Sequence, residues 1–204
     1  VICDPFSAQS TCSAAAGSPG LMGNIYYLTT SDRVDAKLAN YYSKGIKVES
    51  AIILNELNIS QRSFADGFPA GVDDDGKVIF IKDNQAQILV EYFALKLDGF
   101  ITVAAELEGS YQFAIESDDG SSLSVDGRKI IDNDGTHSMK RVESSGLVAL
   151  QRNIKYPVNV GYFQGPRTEI GLMLHWRKCL ELSSSTTCSK YSSWSVVPKD
   201  VLSH

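Results

Sequence analysis

Six Asp-Gly dipeptides divide this chain into short segments, and these turn signals constrain its fold more than any other feature. Both residues tolerate the backbone angles that tight turns between adjacent strands require. From Glu49 onward, most of the segments between turns have the composition of strands. In the segment SYQFAIES, Tyr111, Phe113 and Ile115 alternate with polar or small residues, which indicates a strand with one buried face. This pattern predicts an all-β fold, an antiparallel sandwich or a barrel. The aspartates of these dipeptides are Asp66, Asp75, Asp98, Asp119, Asp126 and Asp134.

Before Glu49, residues 21–28 predict a first strand, whereas the segments on either side of it differ from this pattern. Residues 1–20 are rich in Ser, Ala and Gly and show no periodicity, so they predict an N-terminal arm. Residues 32–45 predict a short helix. Asp32 is a suitable cap, Val34, Leu38 and Tyr41 follow helical spacing, and Gly45 is a suitable stop.

Length and charge narrow the classes of function. The chain has 204 residues and a formal net charge of −5, which fits one domain with an ordinary core. Because a phosphate backbone attracts a basic protein face, this acidic balance argues against a nucleic-acid partner. No segment approaches 18 consecutive apolar residues, so membrane insertion is not expected, and no signal peptide is visible.

Four cysteines lie near the ends of the chain, at Cys3, Cys12, Cys179 and Cys188. The members of each pair are nine residues apart, whereas zinc sites favour two to four residues between ligands. Disulfides in an exported protein fit this arrangement better. Three pairings remain open, including pairings that join the two ends, and so does the alternative of four free thiols in a cytosolic protein.

The motifs of common enzymes are missing from the sequence. It has no Gly-x-Ser-x-Gly elbow, phosphate loop or dinucleotide fingerprint. Nothing places His137, His175 or His204 beside a nucleophile. We therefore expect no enzymatic activity, although a pair of carboxylates from separate strands for glycoside hydrolysis stays open.

The aspartate-rich turns raise the question of a metal site. None fits an EF-hand loop, because the required oxygen ligands are missing when each glycine is placed at the sixth position. The turn from Val72 to Gly76 is interpreted as solvated. Asp118 and Asp119 differ because they end a well-alternating strand, and adjacent carboxylates repel unless a cation lies between them. Hard oxygen ligands select Ca2+, and the sequence leaves calcium and a plain turn equally open.

Two long stretches resemble a known family. GSYQFAIESDDGSSLSVDGRKIIDNDGTHS and GLVALQRNIKYPVNVGYFQGPRTEIGLMLHW closely resemble the PA14 domain, the β-sandwich module named after anthrax protective antigen. The sugar-binding form of yeast flocculins and bacterial adhesins is similar as well. The resemblance is clear from Gly109 to Trp176. It implies one domain over residues 1–204, with a core sandwich at 21–178, an N-terminal arm at 1–20 and a C-terminal arm at 179–204.

The resemblance also implies a site. In lectin members, the two aspartates of this turn form a cis peptide, and both carboxylates bind one Ca2+. The loop YFQGPRT supplies the remaining ligands, which are the amide of Gln164 and backbone carbonyls near Pro166 and Thr168. Two vicinal sugar hydroxyls complete the coordination, and Arg167 is expected to donate hydrogen bonds to the sugar. The sequence departs from yeast members, which favour Asn where Gln164 stands, and Pro166 shortens the loop.

The implied function is that of a calcium-dependent carbohydrate-binding domain of a secreted or cell-surface adhesin. The expected partner is a glycan or polysaccharide, and the domain is expected to be monomeric within a larger, extracellular surface protein. Two alternatives remain: a non-lectin structural or protein-interaction module of the same fold, and an accessory domain of a glycan-active enzyme.

Other residues receive secondary roles. Asp126 and Asp134 are interpreted as turn residues, and Trp176 and Tyr162 as core residues. Phe163 is expected to stack on a sugar only if its side chain faces the loops. Asp132 and Asn133 are expected to stiffen the calcium loop from behind.

Overall fold

The computed structural model describes residues 1–7, 11–166, 169–184 and 186–204, and it confirms the predicted antiparallel β-sandwich. Helices are short and most of the regular structure is strand. The strands are β1 (Ile2–Cys3), β2 (Leu21–Tyr27), β3 (Ile46–Leu54), β4 (Asn58–Ser63), β5 (Pro69–Val72), β6 (Val78–Phe80), β7 (Phe93–Ile101), β8 (Gly109–Asp118), β9 (Ser121–Val125), β10 (Arg128–Asn133), β11 (Lys140–Glu143), β12 (Val148–Leu150), β13 (Tyr156–Gln164), β14 (Glu169–Leu182), β15 (Cys188–Tyr191), β16 (Ser195–Val196) and β17 (Leu202–Ser203).

Two sheets form the sandwich. Sheet A has the strand order β1-β3-β2-β7-β13-β9-β10, and β17 pairs with β7. Sheet B has the order β11-β8-β14-β15, with β12 on β8 and with β4 and β16 on β14. Strands β5 and β6 form a separate two-stranded hairpin. No helix among the described residues is long and apolar enough to cross a bilayer.

Side chains from both sheets fill one continuous apolar core. Tyr111, Phe113 and Ile115 of β8 point inward and are at most 2% exposed, which confirms the predicted alternation. Trp176 of β14 and Tyr162 of β13 lie in the same core, as the sequence predicted. Because successive side chains of a strand alternate between faces, the intervening residues of β8 line the outside of sheet B.

The start predicted for the helix, at Asp32, is wrong. Residues 30–35 form a 3-10 helix, and α1 (Leu38–Lys44) begins only after a break at residues 36–37. Val34 is 93% exposed and takes no part in the apolar face. The N–H of Leu38 donates to Asp134 Oδ1 at 3.1 Å, so a distant side chain satisfies one orphan donor. Gly45 ends α1 as predicted, and its N–H donates to the carbonyl of Tyr41.

The disulfides are local. Cys3 pairs with Cys12 and Cys179 pairs with Cys188, so neither bond joins the two ends of the chain. Hydrogen bonds bring the ends together instead. The N–H of His204 donates to Ser18 O at 3.1 Å, and that of Gly20 donates to Leu202 O at 3.0 Å.

Asp98-Gly99 is not a turn, because it lies inside β7 and pairs with β13, so this turn signal is wrong. Two other Asp-Gly dipeptides take the roles that their chemistry predicts. Asp126 and Gly127 have φ angles of 52° and 74° and connect β9 to β10. The aspartates of the 72–76 turn are exposed, and Asp73 Oδ1 accepts hydrogen bonds from the backbone of Asp75 and Lys77. This turn connects β5 to β6 as a solvated hairpin loop.

Candidate metal and ligand site

Asp118 and Asp119 lie at one end of the sandwich, in the turn that connects β8 to β9. The Asp118–Asp119 peptide is cis, as the resemblance implied. Both side chains are buried, with exposed fractions of 6% for Asp118 and 3% for Asp119. Two neighbouring carboxylates are therefore kept away from bulk water.

Two other segments supply backbone donors to these carboxylates. The N–H of Gly165 donates to Asp119 Oδ2 at 2.8 Å, and that of His137 donates to Asp119 Oδ1 at 2.9 Å. The backbone N–H of Met139 lies near enough to the Asp118 carboxylate to favour its charged form. The segment after β13 and the segment after β10 thus hold the turn from opposite sides.

A buried polar layer supports the turn from behind. Ser117 Oγ donates to the carbonyl of Asp119 at 2.6 Å and shares a 2.7 Å hydrogen bond with Ser121 Oγ. Asn133 is 1% exposed, and its Nδ2 donates to Ser117 Oγ at 3.1 Å. Asn133 therefore supports the turn from behind through Ser117. Asp132 does not share that role, because its exposed side chain pairs with Lys129.

Burial and mutual repulsion act on the two carboxylates. Burial raises the pKa of Asp118 above its ordinary value, and the neighbouring charge of Asp119 raises it further. Burial also raises the pKa of Asp119, against the hydrogen bonds from Gly165 and His137. Both shifts mean that the paired anionic state is unfavourable without a compensating positive charge.

Gln164 adds an amide beside the two aspartates. It is fully buried at the end of β13. The Tyr162 hydroxyl lies 2.6 Å from the carbonyl oxygen of Asp118 and 3.1 Å from Gln164 Oε1, while Gln164 Nε2 lies 3.0 Å from the carbonyl oxygen of Pro166. A phenol has one proton, so Tyr162 donates to only one of its two acceptors.

The opposite orientation of the amide removes this conflict, but it replaces the hydrogen bond from Gln164 Nε2 to the Pro166 carbonyl by a contact between two acceptors. The amide oxygen and nitrogen are nearly equal in size, so the side chain fits either way round. When the nitrogen faces Tyr162, it donates to the hydroxyl, which in turn donates to Asp118. The Gln164 oxygen then faces the Pro166 carbonyl oxygen. A cation shared by these two oxygens would stabilise that contact.

The donor set fits Ca2+ on these grounds. Two carboxylates, one amide oxygen and one carbonyl oxygen are hard ligands, and calcium prefers such oxygens. Among the described residues, no cluster of three or more His, Cys, Asp or Glu side chains has the form of a metal site. The predicted Arg167 and Thr168 lie outside the described residues.

Comparison with known proteins identifies the family. The sequence model of the PA14 domain matches residues 59–190 of this chain. The chain belongs to the PA14 domain family. No curated protein sequence matches it significantly.

Solved structures share the fold of this PA14 domain at low sequence identity. The PA14 sugar-binding domain from an RTX adhesin has a TM-score of 0.60 at 18% identity, over 93% of this chain and 99% of that domain. The A domain of epithelial adhesin 9 from Candida glabrata, in complex with Galb1-4GlcNAc, has a TM-score of 0.51 at 15% identity. The match covers 93% of this chain and 94% of that domain. An anti-sigma factor domain-containing protein has a TM-score of 0.55 at 18% identity. The match covers 90% of this chain but only 47% of that longer chain.

The condition set for stacking of Phe163 on a sugar is not met at this PA14 site. Phe163 is fully buried and stacks on Tyr41 of α1, with ring centroids 5.2 Å apart, so it does not present a face to a sugar. The Tyr41 hydroxyl also donates to the carbonyl of Gln164 at 3.0 Å. The aromatic pair therefore positions Gln164 from below.

The sequence did not reveal three further residues of this PA14 site. His137 and Met139 contribute backbone N–H groups, which every residue except proline carries, so their residue types give no signal. Glu169 begins β14, and its negative charge adds to the effects of burial and Asp119 in raising the pKa of Asp118. The position of this carboxylate directly after the YFQGPRT loop is the one signal of its role in the sequence.

Proposed function

We propose that this PA14 domain is a calcium-dependent carbohydrate-binding domain of a secreted or cell-surface adhesin. The observation that carries the proposal is that the buried Asp118–Asp119 cis peptide and the buried Gln164 lie at the same end of the sandwich. The Tyr162 hydroxyl and the Gly165 N–H connect them. Support comes from similar solved domains, one described as sugar-binding and one in complex with Galb1-4GlcNAc.

In this proposal, five groups hold one calcium ion: the carboxylates of Asp118 and Asp119, the amide oxygen of Gln164, and the carbonyls of Pro166 and Thr168. The bound ion supplies coordination positions for two vicinal hydroxyls of a sugar. Arg167 donates a hydrogen bond to the sugar. The backbone N–H groups of His137 and Gly165 fix the Asp119 carboxylate.

The wider proposal concerns the context of the domain. All 204 residues form one domain that is monomeric, is not an enzyme, and acts within a larger extracellular protein. Disulfides persist in oxidising compartments, so the two bonds support export. Binding to one site is weak, because sugar hydroxyls replace water at an equal number of hydrogen bonds, and multivalency compensates.

Calorimetric titration tests the proposal. Calcium is added first, and a panel of monosaccharides is then added to the calcium-loaded protein. Both signals are expected for the unchanged chain, and Asp119→Asn is expected to abolish both. Asp126→Asn is the matched control, since it changes another aspartate of an Asp-Gly turn, away from the two carboxylates, and keeps both signals.

Other outcomes contradict the proposal in distinct ways. Sugar binding that persists in a chelator rules out the calcium mechanism. Calcium binding without a sugar response favours a structural or protein-interaction module. Hydrolysis of a glycoside by the chain would instead identify an enzyme.

A further inference from the structure

A third carboxylate lies beside the candidate site, on the outer face of sheet B. Gly171 of β14 pairs with Asp118 of β8 in an antiparallel register. Paired residues point to the same face, and so do residues two apart on one strand. Glu169 therefore faces the same side as Asp118, diagonally across the strand pair, at a Cα separation of about 7–8 Å.

The side chain of Glu169 is held in place and is accessible to solvent. Gln61 of the neighbouring strand β4 donates from Nε2 to Glu169 Oε2 at 2.5 Å. Gly171 leaves room for Met139, whose Sδ lies 2.7 Å from the point that a Cβ on residue 171 would occupy. Glu169 is exposed, so its charge acts both on the site and on approaching molecules.

The charge of Glu169 reaches the calcium ligands. Burial is the main cause of the raised pKa of Asp118, and the charge of Asp119 is the next. His137 opposes both, and the charge of Glu169 adds a smaller contribution to the rise. Glu169 thus repels negative charge at this end of the sandwich and attracts positive charge.

We propose that Glu169 makes the site select neutral saccharides against anionic ones, such as uronic and sialic acids, and that it strengthens calcium binding. This inference rests on the proposed function. The Glu169 carboxylate repels a carboxylate on a sugar bound at the rim, and the solvent between them screens this repulsion only in part. An uncharged hydroxymethyl group meets no such repulsion, and its hydroxyl can donate to the glutamate.

The test uses three sugars that differ at one position: galactose, galacturonate and 6-amino-6-deoxygalactose, with the matching glucose series. Their affinities for the calcium-loaded chain are compared with those for Glu169→Gln. The substitution is expected to reduce the preference for the neutral over the anionic sugar by about two- to fivefold at low ionic strength. It should reduce the preference for the amino sugar by a similar factor. Salt at about 0.5 M should suppress both changes, because charges are then screened over distances shorter than the ~10 Å typical of 0.1 M salt.

Calcium titration without sugar provides an independent readout. Glu169→Gln is expected to weaken calcium binding by about two- to fivefold, because a nearby negative charge is lost. Glu169→Asp should preserve the discrimination in part. Glu181→Gln is the matched control, since Glu181 is an exposed glutamate near the other end of the same strand and pairs with Lys190.

The outcomes separate this inference from the proposed function. If calcium and neutral sugars bind but Glu169→Gln changes neither discrimination nor calcium affinity, the inference is wrong and the proposed function stands. If calcium binds and no sugar does, the proposed function fails, and the calcium readout still decides whether the charge of Glu169 acts on the site. If calcium does not bind, both are wrong.

Discussion

The backbone N–H of Gly165 donates a 2.8 Å hydrogen bond to Asp119 Oδ2, across 46 residues of sequence. A Cβ on residue 165 would lie 3.1 Å from the same oxygen, closer than most side-chain contacts. The two loops of the candidate site therefore meet at a position where only a residue without a side chain leaves the carboxylate undisturbed.

Gly165→Ala is expected to displace the Asp119 carboxylate and weaken calcium binding by about three- to tenfold, the equivalent of roughly one hydrogen bond. Calorimetric calcium titration measures the change. Gly146→Ala is the control, because a Cβ on residue 146 meets no atom within 4 Å. Equal calcium affinity in the two variants would contradict the role assigned to Gly165.

Tyr162→Phe is expected to destabilise the fold by about 1–2 kcal/mol, because it leaves a buried acceptor without its donor. Tyr162 is 1% exposed, and its hydroxyl donates to the carbonyl oxygen of Asp118 at 2.6 Å. The amide of Gln164 also loses a partner, so calcium affinity should fall in parallel. Urea unfolding of the calcium-free protein gives the stability, and an unchanged free energy of unfolding would refute the buried hydrogen bond.

His175 should make the fold less stable in mild acid. Burial lowers the pKa of His175, and the positive charge of Arg141 lowers it further, while Glu116 opposes both. As the pH falls through about 6.5, the unfolded chain gains a proton that folded His175 resists. The free energy of unfolding therefore decreases as the pH falls from about 6.5 to the pKa of His175 in the folded protein. Below that pKa, His175 is protonated in both states and contributes no further change.

His175→Gln should remove this part of the pH dependence. Urea denaturation at pH 7.5 and pH 5 measures it, and only the difference between the two proteins counts, because Asp118 and Asp119 also titrate in acid. An identical loss of stability in both proteins would show that His175 does not contribute.

Trp194 is expected to fasten the C-terminal segment to sheet B. The guanidinium groups of Arg141 and Arg177 lie 4.3 Å and 4.5 Å from its ring centroid, and Arg177 also lies 3.9 Å from that of Tyr191. Trp194→Ala should lower the free energy of unfolding by about 1–2 kcal/mol through the two lost cation–π contacts. Trp194→Phe keeps an aromatic face and should recover part of the loss in thermal or urea unfolding. Equal stability of the two variants would argue against these contacts.

The strand-and-turn pattern was predictable because its causes are local. Alternation in β8 and the turn at Asp126-Gly127 depend on the residue types of a few neighbours, and both were confirmed. The start of α1 was not predictable in the same way. Asp32 has the residue type of a cap, but Leu38 receives its acceptor from Asp134, which lies 96 residues away.

The candidate site likewise has features that the sequence predicts and features that it does not. The sequence by itself determined the strand pattern and singled out Asp118 and Asp119, because strand alternation and side-chain chemistry depend on residue types. Gln164 was indicated only by the resemblance to the PA14 domain. Only the tertiary structure decided the local pairing of the cysteines and the burial of Phe163. It also decided the hydrogen bonds from His137 and Gly165 to Asp119 and the position of Glu169 on the strand next to Asp118. Backbone N–H groups carry no residue signature, and a charge acts through space, so their roles arise only when distant segments pack together.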